Sequence, residues 1–526
     1  MKKQCCSVIA LAIATLLGAP ALAQAQNLTI GLAGAVTSMD PHFFNYAPNI
    51  GVTGHIFDYL MTAAPDAKLQ PALAESWTPV ADTTWEFKLR SGVKWQDGSD
   101  FTADDVAFTL DRASNVPNSP GGFRDNRRFL KSVEVIDPLT LRLHTTAPAA
   151  TLPRDLAYIA IVSRHAGKDA ATADYNSGKA AIGTGPYKLA RYLPGDRIEL
   201  VRNESWWGLK PAWERVTFRV ITNPAARVAA LLSKDADVID FPPVNDLPRL
   251  KSNESISIFS IQSLRMIYIA LDFSRAGEEP FITDNAGNRL ARNPLLDVRV
   301  RQALSFGIDR GALANHVMQG AAVPTGQWLP RGSYSYAPDV PVPAYDPERA
   351  RHLLSEAGFP QGFRMTLHSP NDRYPNDASV AQAVAQAWTH IGVQTSVDAM
   401  PASTYFTRNA RQEFSAALRG WGNIDAEATS VLVQVIGSFD PAAGRGSANV
   451  GRYSNKALDD LTDKASNTLN DGEREKLLIQ ATEMTMHDLP FIPLYNQVNT
   501  WAMHRGITYE PRMDELTLAM NAHLTR

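Results

Sequence analysis

Cysteine is almost absent from this chain of 526 residues: there are two, Cys5 and Cys6, both at the extreme N-terminus. Beyond residue 6 the chain therefore has no disulfide framework, thiolate metal centre or thiol nucleophile. A surplus of one charge is missing too, since 51 Lys and Arg stand against 54 Asp and Glu for a net charge of −3. A chain so close to neutral, without a basic stripe, is not built around nucleic acid. After the N-terminal segment no apolar run reaches the ~18 residues that would suggest a membrane helix. Glycine (33) and proline (34) are near ordinary usage, which excludes collagen-like and low-complexity chains.

Several chemistries lack their motifs. The chain contains no G-x-x-x-x-G-K-[S/T] phosphate loop, no H-E-x-x-H pair and no G-x-S-x-G elbow. Gly183-Thr184-Gly185 runs into Pro186, so it does not open a dinucleotide-binding helix. Ser91 and Lys94 share the serine–lysine spacing of penicillin-binding enzymes, but S-D-N and K-T-G elements are missing and Ser91-Gly92 reads as the end of a strand. The 11 histidines include His42 and His55, and His487 and His504, at spacings that suit surface or core positions. No metal and no cofactor is expected.

The first 25 residues form a leader. Lys2 and Lys3 precede a run from Val8 to Leu17 that is apolar apart from one threonine, and small residues follow with cleavage options at Ala21-Leu22-Ala23 and Ala23-Gln24-Ala25. The run falls short of the ~20 residues that span a bilayer. Removal of 1–25 takes two lysines and both cysteines, so the net charge goes from −3 to −5. Such a chain is exported, and its cores alone must hold it together. A length of about 500 residues exceeds one core and implies at least two lobes.

Trp85-Glu86-Phe87-Lys88-Leu89 alternates strictly and reads as a half-buried strand. A turn follows, and Thr102 with Asp105 three positions on forms a capping pair opening a helix through Leu110. Further strands are expected at Leu28–Leu32, Leu139–His144, Tyr187–Leu193, Arg197–Val201 and Val216–Ile221. Helices are expected at Val298–Ile308, Pro347–Ala357, Ser379–His390 and Gly472–Met486. The mixture predicts α/β or α+β lobes.

The loop-like stretch Arg419-Gly420-Trp421-Gly422-Asn423-Ile424-Asp425-Ala426-Glu427 combines glycines, a large ring and two carboxylates. It suits a stacking face with acceptors for a ligand, or a core tryptophan flanked by solvated acids.

Blocks in order along the chain resemble one family, the solute-binding proteins of ABC importers for peptides, nickel and opines (solute-binding family 5). They are Leu73–Trp77, Trp85–Arg90, Gly92–Gly98, Phe101–Val106, Gly183–Leu189, Asp297–Leu304 with Ile308-Asp309-Arg310, Tyr345-Asp346-Pro347 with Glu356–Phe359, Arg452–Asn455 and Ile492–Tyr495. The resemblance implies an α/β, two-lobed periplasmic binding protein fold of the Venus-flytrap kind, type II, with an extra N-terminal subdomain. Lobe I would take 26–271 plus 489–526, with the inserted subdomain at about 60–175, and lobe II would take 272–488. It implies a monomeric, non-enzymatic periplasmic protein that encloses a small peptide-like, glutathione-like or opine-like solute and delivers it to an inner-membrane permease with its ATPase. Nucleic acid is not a partner.

In peptide binders of this family the tryptophan matching Trp421 is followed three residues later by an aspartate that pairs with the peptide amino group. Here that position is Ile424, with carboxylates at Asp425 and Glu427 instead, a pattern closer to glutathione-like or less typical solutes. Arg373 lies near where dipeptide-binding relatives place a carboxylate-pairing arginine, whose guanidinium can fork to a carboxylate in two parallel bonds; a surface arginine is the other reading. The expected ligand-binding set is Trp421, Asn423, Asp425, Glu427 and Arg373. The alternative function is a secreted hydrolase acting on a small solute through carboxylates in the cleft.

Overall fold

The structure of the protein, a computed structural model, describes residues 26–423 and 426–525. The leader expected over 1–25, with both cysteines, lies outside those residues, as does Asp425.

Strand β1 (Asn27–Leu32) buries Leu28, Ile30 and Leu32 at alternate positions, the period-two signature of a strand with a covered face. Four strands, β2 (Ala74–Ala81), β3 (Thr84–Leu89), β4 (Leu130–Asp137) and β5 (Thr140–Thr145), then form a separate antiparallel sheet in the order β2-β3-β5-β4. Trp85, Phe87 and Leu89 of β3 all point inward, as their alternation predicts. Helix α1 (Ala103–Arg112) adds Val106 and Leu110 to the same core. It starts on the expected pair: the Asp105 carboxylate accepts the Thr102 backbone N–H at 2.9 Å and the Trp95 indole N–H at 3.3 Å. This core gathers residues between Ile50 and Ile161 and includes Leu152 and Leu156 of the short helix α2 (Leu152–Leu156).

The large sheet is mixed. Its strands are β1, β6 (Tyr187–Leu193), β7 (Arg197–Arg202), β8 (Arg215–Val220), β9 (Val238–Asp240), β10 (Ile256–Leu271), β11 (Phe363–Pro370), β12 (Val393–Met400), β13 (Ala416–Gly422) and β14 (Phe491–His504). Their order is β12-β11-β13-β10-β14-β9-β1-β8-β7-β6, with short strands Ile282–Thr283 on β11 and Ala322–Pro324 on β14. β1 runs parallel to β8 and β9, and β11 parallel to β12 and β13. The long strands β10 and β14 are antiparallel from Ile256↔His504 to Ala270↔Phe491, with a register shift between Gln262 and Met266.

Those two strands pass through two cores. At one end Trp501 and Met503 pack with Leu28, Ile30 and Phe218. At the other, Ile267, Ile269, Ile492 and Leu494 pack against helices α3 (Val298–Phe306) and α4 (Asp377–His390) through Val300, Leu304, Val384 and Trp388. On the opposite face of that end, Met266, Tyr268 and Phe491 meet helices α5 (Lys456–Asn467) and α6 (Asp471–Asp488) through Leu458, Leu478 and Ala481. The fold is therefore α/β and two-lobed, as expected. The expected strands and helices are present to within two residues at their ends; β2, β4, β9 to β14, α2 and α5 are additions to that reading.

Buried arginines do the tying that disulfides do elsewhere. Arg301 of α3 donates to the carbonyls of Leu295 (2.8 Å), Asp488 (2.7 Å) and Leu489 (3.1 Å), joining α3 to the end of α6. Arg310 donates to Pro493 O (2.8 Å) and Ser305 O (3.0 Å). Arg227 holds the carbonyls of Ile221 (2.8 Å), Asp240 (3.0 Å) and Phe241 (2.8 Å). A planar guanidinium with several donors suits this multiple bridging. The Gly183-Thr184-Gly185 stretch serves close packing: a Cβ on Gly183 would sit 1.7 Å from the Ile56 carbonyl oxygen.

A buried acidic pair lies where β10 leaves the sheet. Glu279 accepts from the Ser415 hydroxyl (2.6 Å) and the Asn293 amide (3.0 Å), while Arg275 Nη1 is 2.8 Å from Asp272 and 3.8 Å from Glu279. Burial, reinforced by the neighbouring Asp272 carboxylate, pushes Glu279 up to about 8. The folded state thus holds this proton more tightly than the unfolded chain does. Its contribution is complete below the ordinary glutamate range and is lost as pH rises toward 8. The urea midpoint should fall between pH 5 and pH 8, and Glu279→Gln should flatten that slope; equal slopes in both proteins would exclude this proton as the cause.

Candidate functional site

Where β13, β10 and β14 lie side by side, Trp421, Met266 and Asn496 are register partners in one row across the sheet. The sequence pattern predicts a loop around Trp421, but the structure places it on β13, one residue from the strand's end. The two glycines that suggest a loop serve close approach instead. A Cβ on Gly420 would lie 2.7 Å from the Tyr374 ring and 2.8 Å from Ile267 Cδ1, and one on Gly422 would lie 2.9 Å from the Arg265 guanidinium. Trp421 is half-buried against the core that contains Met266 and Trp328, and its indole N–H has no partner among the described residues.

Four chain segments meet beside it. Ala67, Leu264, Ala426 and Met513 form a small apolar cluster. Next to them Arg265 and Glu515 make a two-point ion pair, Nε to Oε1 at 2.8 Å and Nη2 to Oε2 at 2.9 Å, and Ser263 Oγ donates to Oε1 at 3.2 Å. Burial pushes the Glu515 carboxyl up, but the Arg265 guanidinium and the Ser263 hydroxyl outweigh it, with a further contribution from Arg373, and Glu515 ends below the usual carboxylate range.

Arg373 is exposed. Its backbone N–H donates to Asp377 at 2.9 Å, its guanidinium lies over the Tyr374 ring at 5.0 Å, and the Tyr374 hydroxyl donates to Gly420 O at 3.3 Å. The expected arginine and tryptophan are thus joined through Tyr374 and the β13 backbone. Tyr374, Arg265 and Glu515 were not singled out from sequence, where nothing local marks them.

The remaining expected residues have other duties. Asn423 is buried; its amide nitrogen donates to Glu427 O at 2.7 Å, its side-chain oxygen accepts from Ser430 at 2.7 Å, and its backbone N–H donates to Leu264 O at 3.1 Å. It braces the loop after β13. Asp425 lies outside the described residues. Glu427 corrects the expectation of a carboxylate offered to a ligand: it is fully buried, Arg474 Nη1 reaches its two oxygens at 2.9 and 3.0 Å, and Arg154 Nε reaches Oε2 at 3.0 Å. Desolvation makes an unpaired carboxylate untenable there, and the two guanidiniums are what permit it. Arg154 lies on α2, 273 residues earlier in the chain, and no sequence pattern links the two.

Comparison with known proteins fits this arrangement. Residues 68–441 match the profile of the bacterial extracellular solute-binding proteins, family 5 Middle. The chain belongs to that family. Among relatives of the family, heme-binding protein A of Haemophilus influenzae is 29% identical over 461 residues, covering 82% of this chain and 79% of the relative. The glutathione-binding protein GsiB of Escherichia coli is 29% identical over 515 residues, covering 95% of each. The solved structure of the periplasmic binding protein DppA from Helicobacter pylori, in complex with the peptide STSA, aligns with a TM-score of 0.72 at 22% identity, covering 95% of this chain and 98% of that one. These family members are binding proteins rather than enzymes.

Within this family member, Glu427→Gln should cost about 3 kcal/mol of stability, because Arg474 would remain buried without its counter-charge. Urea unfolding measures it; a loss below about 1 kcal/mol would show that water or another group compensates Arg474.

Proposed function

We propose that this protein is the solute-capturing component of an ABC importer, working in the periplasm on a small peptide-like solute and acting without covalent chemistry. The observation that carries the reading is the half-buried Trp421 at the end of β13, flanked by the exposed Arg373 and the Arg265–Glu515 pair, where segments of both lobes converge. An aromatic face with a free guanidinium beside it suits a solute that has an apolar body and a carboxylate. The glutathione-binding and peptide-bound relatives support that class, and the heme-binding relative widens it.

In this reading the subdomain around β2–β5 and the core around β1 form lobe I, and the core around α3 to α6 forms lobe II. The lobes would exchange within β10 and β14, and the register shift between Gln262 and Met266 offers the place to bend. Bending there encloses the solute, water leaves, and the few polar contacts strengthen. The leader over 1–25 exports the chain. The alternative, a secreted hydrolase acting on a small solute through carboxylates in the cleft, loses Glu427 as a candidate, since both its oxygens are engaged.

A thermal-shift panel of short peptides, glutathione, opines, a nickel–histidine chelate and heme should raise the melting temperature with at least one member; a ligand at 100 times its Kd adds about 2.7 kcal/mol. Trp421→Ala should weaken that ligand by about 1–3 kcal/mol with little loss of stability. A flat response of folded protein across the panel would remove the proposed solute class. Unfolding of Trp421→Ala without a separate binding defect would make the ring a core residue.

A further inference from the structure

The Arg154–Glu427–Arg474 cluster joins parts of the molecule that the sheet does not. Arg154 stands on α2, in the core built around β2–β5, whereas Glu427 follows β13 and Arg474 lies in the first turn of α6. Glu427 and Arg474 are fixed to each other's surroundings. The Arg474 guanidinium lies over the Tyr334 ring at 5.0 Å, Ala428 N–H donates to Ser335 Oγ at 3.0 Å, and Ser335 N–H donates to Glu475 at 3.3 Å. Arg154 arrives from the other side, keeps about a fifth of its side chain in solvent, and completes the coordination of a carboxylate that is otherwise sealed. Two further contacts accompany it across the same boundary: Ala150 N–H donates to Ser466 O at 3.3 Å, and Leu469, between α5 and α6, packs against the β2–β5 core.

The asymmetry of the cluster gives it a direction. If the lobes part, Glu427 keeps Arg474 and loses only Arg154. Opening therefore breaks the Arg154–Glu427 contact and leaves no buried acid unpaired. The residue that bears this carboxylate is also tied to the end of β13, because the Asn423 amide donates to the Glu427 backbone carbonyl and Asn423 follows directly on Trp421 and Gly422. A single acidic residue is thus held by one arm of the loop at Trp421 and by an arginine of the opposite lobe.

We propose that Arg154 is a positioning residue for lobe closure: it grips Glu427 from the β2–β5 side, favours the closed arrangement in the absence of solute, and steadies the end of β13 that carries Trp421 without touching the solute itself. This rests on the two-lobed closure described under the proposed function, but its test needs no solute, so the two can fail separately. Lys131→Cys on β4 and Lys464→Cys on α5 are exposed and lie on opposite sides of the contact. They provide nitroxide sites in a chain whose own cysteines are confined to residues 5 and 6. Distance distributions from pulsed dipolar EPR are compared, without solute, for the parent, Arg154→Gln and Arg154→Lys, alongside their melting temperatures. Arg154→Gln should raise the ratio of long to short distances by about tenfold, within the usual range of inter-site coupling, and Arg154→Lys should restore part of it, with all three proteins folded. An unchanged distribution in Arg154→Gln overturns the proposal. So does a collapse in melting temperature in both variants, which would make Arg154 a packing residue of its own core.

Discussion

The antiparallel pair β10–β14 is the constraint on which the rest of the molecule depends. Both strands are long enough to belong to two cores, and they are hydrogen-bonded to each other from one core to the other. Everything on the β1 side hangs from β14 through β9, and everything on the β11 side hangs from β10 through β13. The longer of the two register shifts, between Gln262 and Met266, interrupts this ladder, and backbone that has already given up regular pairing bends at least cost. Ser263, Leu264 and Arg265 lie within the shift itself, next to Met266, the register partner of Trp421.

Around that joint, side chains that look available for recognition are mostly employed in holding the frame. Glu427 and Asn423 have full sets of protein partners, whereas Trp421 and Arg373 keep faces that are not consumed. In the proposed function, recognition and positioning are thus divided between neighbours a few residues apart. The division follows from burial: a carboxylate fully withdrawn from water must be neutralised by its own protein before anything else arrives, while a half-buried ring carries no such obligation.

Legibility in the sequence followed the same physics. β3 and α1 could be read directly, since a strand with one covered face alternates and a capped helix announces its start with Thr102 and Asp105. β10 and β14 could not, because strands buried on both faces over much of their length lose the alternation that marks a strand. β13 was disguised by Gly420 and Gly422, whose reason is the approach of Tyr374 and Arg265 from elsewhere in the chain. Family resemblance supplied Trp421 and Arg373 but not Arg154, Arg265 or Glu515, whose roles come from ion pairs between residues far apart in sequence, 250 positions in the case of Arg265 and Glu515.

The position of β14 has a temporal meaning as well. The last strand of the large sheet along the chain, Phe491–His504, is inserted in its middle between β10 and β9, not added at an edge. Until those residues have left the ribosome, both halves of the sheet end in open edges with their hydrophobic faces incomplete. Assembly of the sheet therefore waits for the chain through His504 and then proceeds through long-range pairings, which is slow. A chain whose keystone comes last remains threadable for as long as it is being made.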